Sequence, residues 1–75
     1  MIKGNVGYDG SKERYVVYGN FGEERELHCG DSFEVWVRPN WERTRIELND
    51  EGVYYLIGCS VGLAEIAMYG LPVKI

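Results

Sequence analysis

Proline is nearly missing from this chain. Of 75 residues only Pro39 and Pro72 are prolines, and no stretch is rich in proline, serine or a single repeated type. That excludes a linker or low-complexity array and leaves one unit over residues 2–75. Cysteine is equally scarce. Cys29 and Cys59 are the only two, too few for the disulfide framework of a small secreted scaffold. A bond between them would close a long loop and add roughly 3 to 4 kcal/mol, but it would not persist in a reducing cytosol. Both are read as small buried apolar residues. Long apolar runs are also lacking. No segment reaches the length of a membrane span, and Met1-Ile2-Lys3-Gly4-Asn5 has no signal-peptide core. The expectation is a soluble, cytoplasmic protein with no membrane partner. Lysine occurs only at positions 3, 12 and 74, and the net charge is −4. This balance argues against bulk electrostatic attraction to nucleic acid or an anionic surface.

What is present points to β structure. Ten glycines punctuate the chain, hydrophobic residues make up 45% of it and aromatic residues 13%. Such a composition suits a folded core rather than a disordered chain. At this length only about 60 to 65% of the unfolded surface can be buried, so stability is expected to be marginal. Between Asp31 and Gly58, Phe33 to Arg38 and Trp41 to Leu48 both alternate apolar and polar residues. They flank Pro39-Asn40, and Asn49 to Gly52 turns the chain into Val53 to Ile57. That is a three-strand meander. Ile2, Gly4, Val6 and Tyr8 alternate in a first strand, Asp9 to Lys12 form a turn, and Arg14 to Tyr18 form a second strand. Glu23 to Glu26 read as a solvated loop. Leu63 to Tyr69 read as a short helical turn stopped by Gly70. Leu71 to Ile75 close the chain as a strand that either lies at a sheet edge or begins at Pro72, which has no amide donor.

Five to six short antiparallel strands in so few residues imply an all-β fold, a small barrel that hides one face and limits open edges. Gly30-Asp31-Ser32-Phe33-Glu34-Val35, the Trp-bearing strands, the helical turn and the brief last strand resemble SH3-like small barrels over residues 27–75. Leu27-His28-Cys29-Gly30, Trp41 with Thr44-Arg45-Ile46-Glu47, and Gly70-Leu71-Pro72-Val73-Lys74-Ile75 resemble an uncharacterised family of very short proteins. That family occurs in Firmicutes genomes, plasmids and phages, and the resemblance implies no activity and no functional residues.

Placing Arg38 and Trp41 at the two ends of the Pro39-Asn40 turn sets Trp36 opposite Arg43 and Glu34 opposite Arg45. Phe33, Val35, Val37, Thr44, Ile46 and Leu48 then point inward. Glu34, Trp36, Arg38, Trp41, Arg43 and Arg45 point outward. On one reading the indoles and guanidinium groups form a structural ladder, Trp36 over Arg43 and Arg38 over Trp41. On the other, Trp36, Arg38, Trp41, Arg43 and Arg45 form a binding surface, since Trp and Arg are enriched in binding hot spots. Tyr54 and Leu56 face outward if the Asn49 to Gly52 turn is a four-residue loop. They face inward if it is a three-residue loop with a bulge at Gly52.

No catalytic signature stands out. His28 and Cys29 adjoin and would point to opposite faces of a strand, and zinc-ligand spacing is missing. The carboxylates show no defined pairing, and Gly19, Gly22 and Gly30 precede no phosphate loop. No catalytic residue, metal ligand or cofactor is assigned, and the chain is read as a non-enzyme. Three functions follow from the outward face: recognition of an unidentified protein partner, recognition of nucleic acid or a nucleotide by stacking and arginine contacts, or homodimerisation.

Overall fold

A computed structural model describes residues 1–75. Two three-strand meanders make up most of it. The first comprises β1 (Lys3–Asp9), β2 (Arg14–Gly19) and β3 (Glu24–Glu26). The second comprises β4 (Ser32–Val37), β5 (Asn40–Leu48) and β6 (Tyr54–Ile57). After β6 comes one helix, α1 (Leu63–Tyr69), and then β7 (Val73–Lys74). The last strand joins the two meanders. The sheet order is β3-β2-β1-β7-β4-β5-β6, and every neighbouring pair is antiparallel.

The expected all-β class and the short helix over 63–69 are found. Two details differ from the expectation. There are seven strands rather than five to six, because Glu24–Glu26, read as a solvated loop, pairs with β2, while Val73–Lys74 is the expected closing strand. The hydrogen-bonded order has two ends, at β3 and β6, so the sheet curls without a ladder closing it into a barrel. The curl brings the Tyr15 and Tyr54 rings to 6.2 Å, although β2 and β6 lie near opposite ends of the order. Of the two placements expected for the last strand, at an edge or beginning at Pro72, the second is found, and the strand is central. It starts directly after Pro72, whose carbonyl accepts the Trp36 amide at 2.8 Å. Only the carbonyl of that residue is used in the ladder, so the missing donor is tolerated there.

The concave side holds the core. β1 supplies Val6, β2 Val17, β4 Phe33 and Val35, β5 Ile46 and β7 Val73, with Leu27 from the connection to β4. A seven-residue helix is too short to be stable alone in water. Here Leu63 and Ile66, three residues apart on one helix face, complete the same cluster. Glu65 accepts the Gly62 amide at the start of α1, and Gly70 ends it with φ 62°. Gly4 is buried where β1 passes between β2 and β7. A Cβ there would meet the Tyr18 carbonyl and lie 2.8 Å from the Gly19 Cα, so only glycine allows this approach.

Both turns of the second meander settle questions of register. Val37 pairs with Asn40, so the loop residues are Arg38 and Pro39, joined by a cis peptide bond. Pairing is therefore displaced by two residues from the expected one: Trp36 faces Trp41, Glu34 faces Arg43 and Phe33 faces Thr44. Proline has no amide to give the ladder and occupies the loop, while Asn40 becomes the first paired residue. An even displacement keeps every side chain on its expected face, and Phe33, Val35, Thr44 and Ile46 are buried as expected. Leu48, expected inward, is 44% exposed because it lies at the far end of β5 beyond the core. At the next turn the Asn49 amide donates to the Val53 carbonyl, and Gly52 has φ 79°. The three-residue loop with a glycine bulge is the one present. Tyr54 and Leu56 turn inward, and Val53, Tyr55 and Ile57 stay exposed.

Candidate functional site

The outer face of β4, β5, β6 and β7 holds the candidate site. Strand alternation sends Glu34 and Trp36 outward from β4, Trp41, Arg43, Arg45 and Glu47 outward from β5, and Lys74 outward from β7. The tryptophans, directly opposite one another, lie with ring centroids 5.5 Å apart and planes tilted by 55°. Neither is sealed in the interior: Trp36 is half-buried and Trp41 is 37% exposed. A cation does sit on an indole, but it is Lys74, whose Nζ lies 3.9 Å from the Trp41 ring centroid. The expected ladder is corrected here. With the register displaced, Trp36 lies over Trp41 rather than Arg43, Arg38 sits in the loop, and Arg45 faces Ser32 rather than Glu34.

Arg45 instead holds Glu47, two residues along the same strand, with Nε to Oε2 at 2.7 Å. Arg43 stands opposite Glu34, and Glu34 is opposite Lys74, which in turn is opposite Lys3. A row of alternating strands thus carries Lys3, Lys74, Glu34 and Arg43. Beside it, a depression of about 180 Å³ opens between Arg43, Lys74, Glu34 and the chain ends at Met1 and Ile75. All five expected residues, Trp36, Arg38, Trp41, Arg43 and Arg45, fall on this face or in the loop at its end. Sequence reasoning missed Lys3 and Lys74, and it left the facing of Tyr55 and Ile57 open between two turns. The lysines look scattered along the chain, and only the insertion of β7 between β1 and β4 brings them together.

The other reactive groups are held in structural roles. Cys29, expected to be buried, is exposed, and its thiol donates to Glu47 at 3.0 Å. That bond raises the Cys29 pKa above its ordinary value, the opposite of what an activated nucleophile needs. It lies in the connection between β3 and β4, outside the concave core. Cys59 is half-buried and also raised, chiefly by burial. Both are free thiols. His28 is exposed and lies 3.8 Å from both Glu26 and Asp31. Glu26, in β3, also draws in Lys12 at 3.3 Å and Arg14 at 3.6 Å. Glu23 accepts the Phe21 amide and so holds the turn before β3. Glu42 accepts the Ser60 amide and hydroxyl at 2.8 Å, which lowers its pKa and pins the loop after β6.

Comparison with known proteins places the chain. Its residues 4–75 match the family model described as Domain of unknown function (DUF5348), and the chain belongs to that family. A protein from Ruminococcus gnavus with a crystal structure is similar to it at 32% identity. The match covers 97% of this chain and 99% of that one, with a TM-score of 0.79. The search of curated proteins finds no match. No helix is long and apolar enough to cross a membrane.

Proposed function

We propose that this chain is a non-enzymatic binding module that recognises an acidic protein surface through its outer Trp/Arg/Lys face. One observation carries the reading. Lys3, Arg38, Arg43, Arg45 and Lys74 gather on or beside the face that exposes the tryptophan pair, although the chain as a whole is acidic. Among the outward side chains of β4, β5 and β7 only Glu34 and Glu47 oppose them, and Glu47 is committed to Arg45 and Cys29. Electrostatic complementarity of this kind steers encounter and selects the partner's charge. Tryptophan and arginine then supply the kind of contact that most often dominates a binding interface. Tyr55 and Ile57, both exposed on β6, extend the surface with apolar area.

Nucleic-acid recognition is the second reading, favoured by the same cluster of cations. Against it, Lys74 already covers a face of Trp41, so a stacking base would have to displace a bound ammonium group.

The test is a double variant, Trp41→Ala with Arg43→Ala, both at outward positions. A partner captured by the wild type from cells encoding this chain, then purified, should bind the variant with a loss of about 2 kcal/mol or more. The melting temperature should fall only slightly. Unchanged affinity for that partner would refute the assignment of the face. Salt-dependent retention of the wild type on single-stranded DNA, lost in the variant, would transfer the face to the second reading.

A further inference from the structure

The two ends of the sheet are built differently. At one end β3 is three residues long and reads Glu24-Arg25-Glu26, a short charged edge of the kind that discourages pairing. At the other end β6 carries no such protection. The chain has no charged residue from Gly52 to Ala64, and β6 lies inside that run. β6 pairs only with β5. The bond from the Asn49 amide to the Val53 carbonyl sets the phase of the ladder. Tyr55 and Ile57 therefore turn their backbone groups toward β5, while Tyr54 and Leu56 turn theirs to the free edge. No loop, helix or side chain bonds to the backbone groups of those two residues. Along this edge runs a groove of about 490 Å³ between β6 and the start of α1, lined by Tyr15, Leu56, Cys59, Val61 and Leu63 among others and by no charged side chain. Val53, Tyr55 and Ile57 stand exposed beside it at 55%, 43% and 41%.

We propose that β6 is the pairing edge for a second copy of this chain, added antiparallel about a two-fold axis through Tyr55. In that register Tyr54 of each copy lies opposite Leu56 of the other, and the open N–H and C=O groups of both residues bond reciprocally. The unpaired groups are thus self-complementary, which is what an isologous interface requires. Charge selects the same occupant. Two copies of net charge −4 repel least where neither presents a charge, and Gly52 to Ala64 is the longest such run in the chain. A neutral groove also rejects charged segments, since burying an unpaired charge costs far more than leaving it in water. The contact strip is one short strand with three apolar side chains. It falls below the roughly 1,200 Å² of a standard stable interface, so the dimer is weak and reversible. The proposal does not depend on the Trp/Arg/Lys face.

Sedimentation velocity over a concentration series reaching about 1 mM, the range for a weak complex, tests it together with amide hydrogen exchange. The wild type should move from monomer to dimer mass, and the Tyr54 and Leu56 amides should gain protection in step. Tyr55→Lys, outward and opposite Glu47, should keep the wild-type melting temperature. It should remain monomeric throughout, because two ammonium groups would face each other across the axis. Trp41→Ala should dimerise as the wild type does. A wild type that is monomeric at every concentration overturns the proposal. So does a dimer insensitive to Tyr55→Lys, or protection that appears only when an uncharged peptide of another sequence is added. Exchange on the wild type reads the contact without any substitution.

Discussion

Thr44 shows what a single side chain contributes here. It is the one polar residue in the buried set, and its hydroxyl donates to the Ile57 carbonyl at 2.7 Å. That bond ties the end of β6 to the middle of β5, where Gly58 then turns the chain away with φ 81°. Thr44→Val keeps shape and volume but removes the donor. It should cost about 1 kcal/mol, measured by urea unfolding, and should speed exchange in β6 before the rest of the sheet. The carboxylates act at the same scale. Glu42 has its pKa lowered chiefly by the Ser60 amide, Glu47 by the Cys29 thiol and Asp9 by the Ser11 hydroxyl. A depressed folded pKa means stability that is present above the ordinary value, near 4.5 for Glu and 3.8 for Asp, and lost as pH falls through the folded value. The melting temperature should therefore hold from neutral pH to about 4.5 and decline below it. In Glu42→Gln that decline should be shallower.

Among the elements, β7 has an importance out of proportion to its length. Lys74 pairs with Lys3 on one side and Glu34 on the other, and Val73 pairs with Gly4 and Val35. Ile2 and Ile75 exchange backbone bonds at 2.6 and 2.9 Å. Removing residues 71–75 opens two new edges in the centre of the sheet and takes Val73 out of the core. The truncated chain should lose cooperative thermal unfolding, measured by near-ultraviolet circular dichroism, rather than melt a few degrees lower. The elements also show how much could be read from the chain beforehand. Strict alternation in Phe33–Arg38 and Trp41–Leu48 identifies strands and faces, because the pleat has period two whatever the partner. Register was not legible. It depends on which residues around Pro39 lie in the loop, and a two-residue displacement leaves the same pattern of apolar and polar faces. β3 was missed because Glu-Arg-Glu has no apolar alternation to reveal an edge strand.

At the scale of the whole molecule the decisive property is how charge is distributed. A chain of net charge −4 folds so that most of its cations lie around two tryptophans, while Glu24, Glu26, Asp50, Glu51 and Glu65 lie elsewhere. Steering by such a field weakens with salt. The association rate with an acidic partner should therefore fall as ionic strength rises, more steeply for the wild type than for the Arg43-containing double variant, in stopped-flow or surface-binding kinetics. The uncharged β6 edge should behave in the opposite way, since its pairing rests on backbone bonds and apolar contact.

The positions of every strand but β3, the all-β class, the helical turn and the outward facing of Trp36, Trp41, Arg43 and Arg45 were determined by the sequence itself, because each follows from periodicity and turn residues within a few positions of the chain. Only the tertiary structure decided that Trp36 meets Trp41, that Lys74 covers an indole and that Lys3 joins it. It also decided which edge of the sheet is left open. The lysines come together because of where a two-residue strand at the end of the chain inserts, whereas the tryptophan pairing is set by which residues around Pro39 form the loop. No local pattern encodes that insertion, because its stability comes from partners more than thirty positions away in sequence.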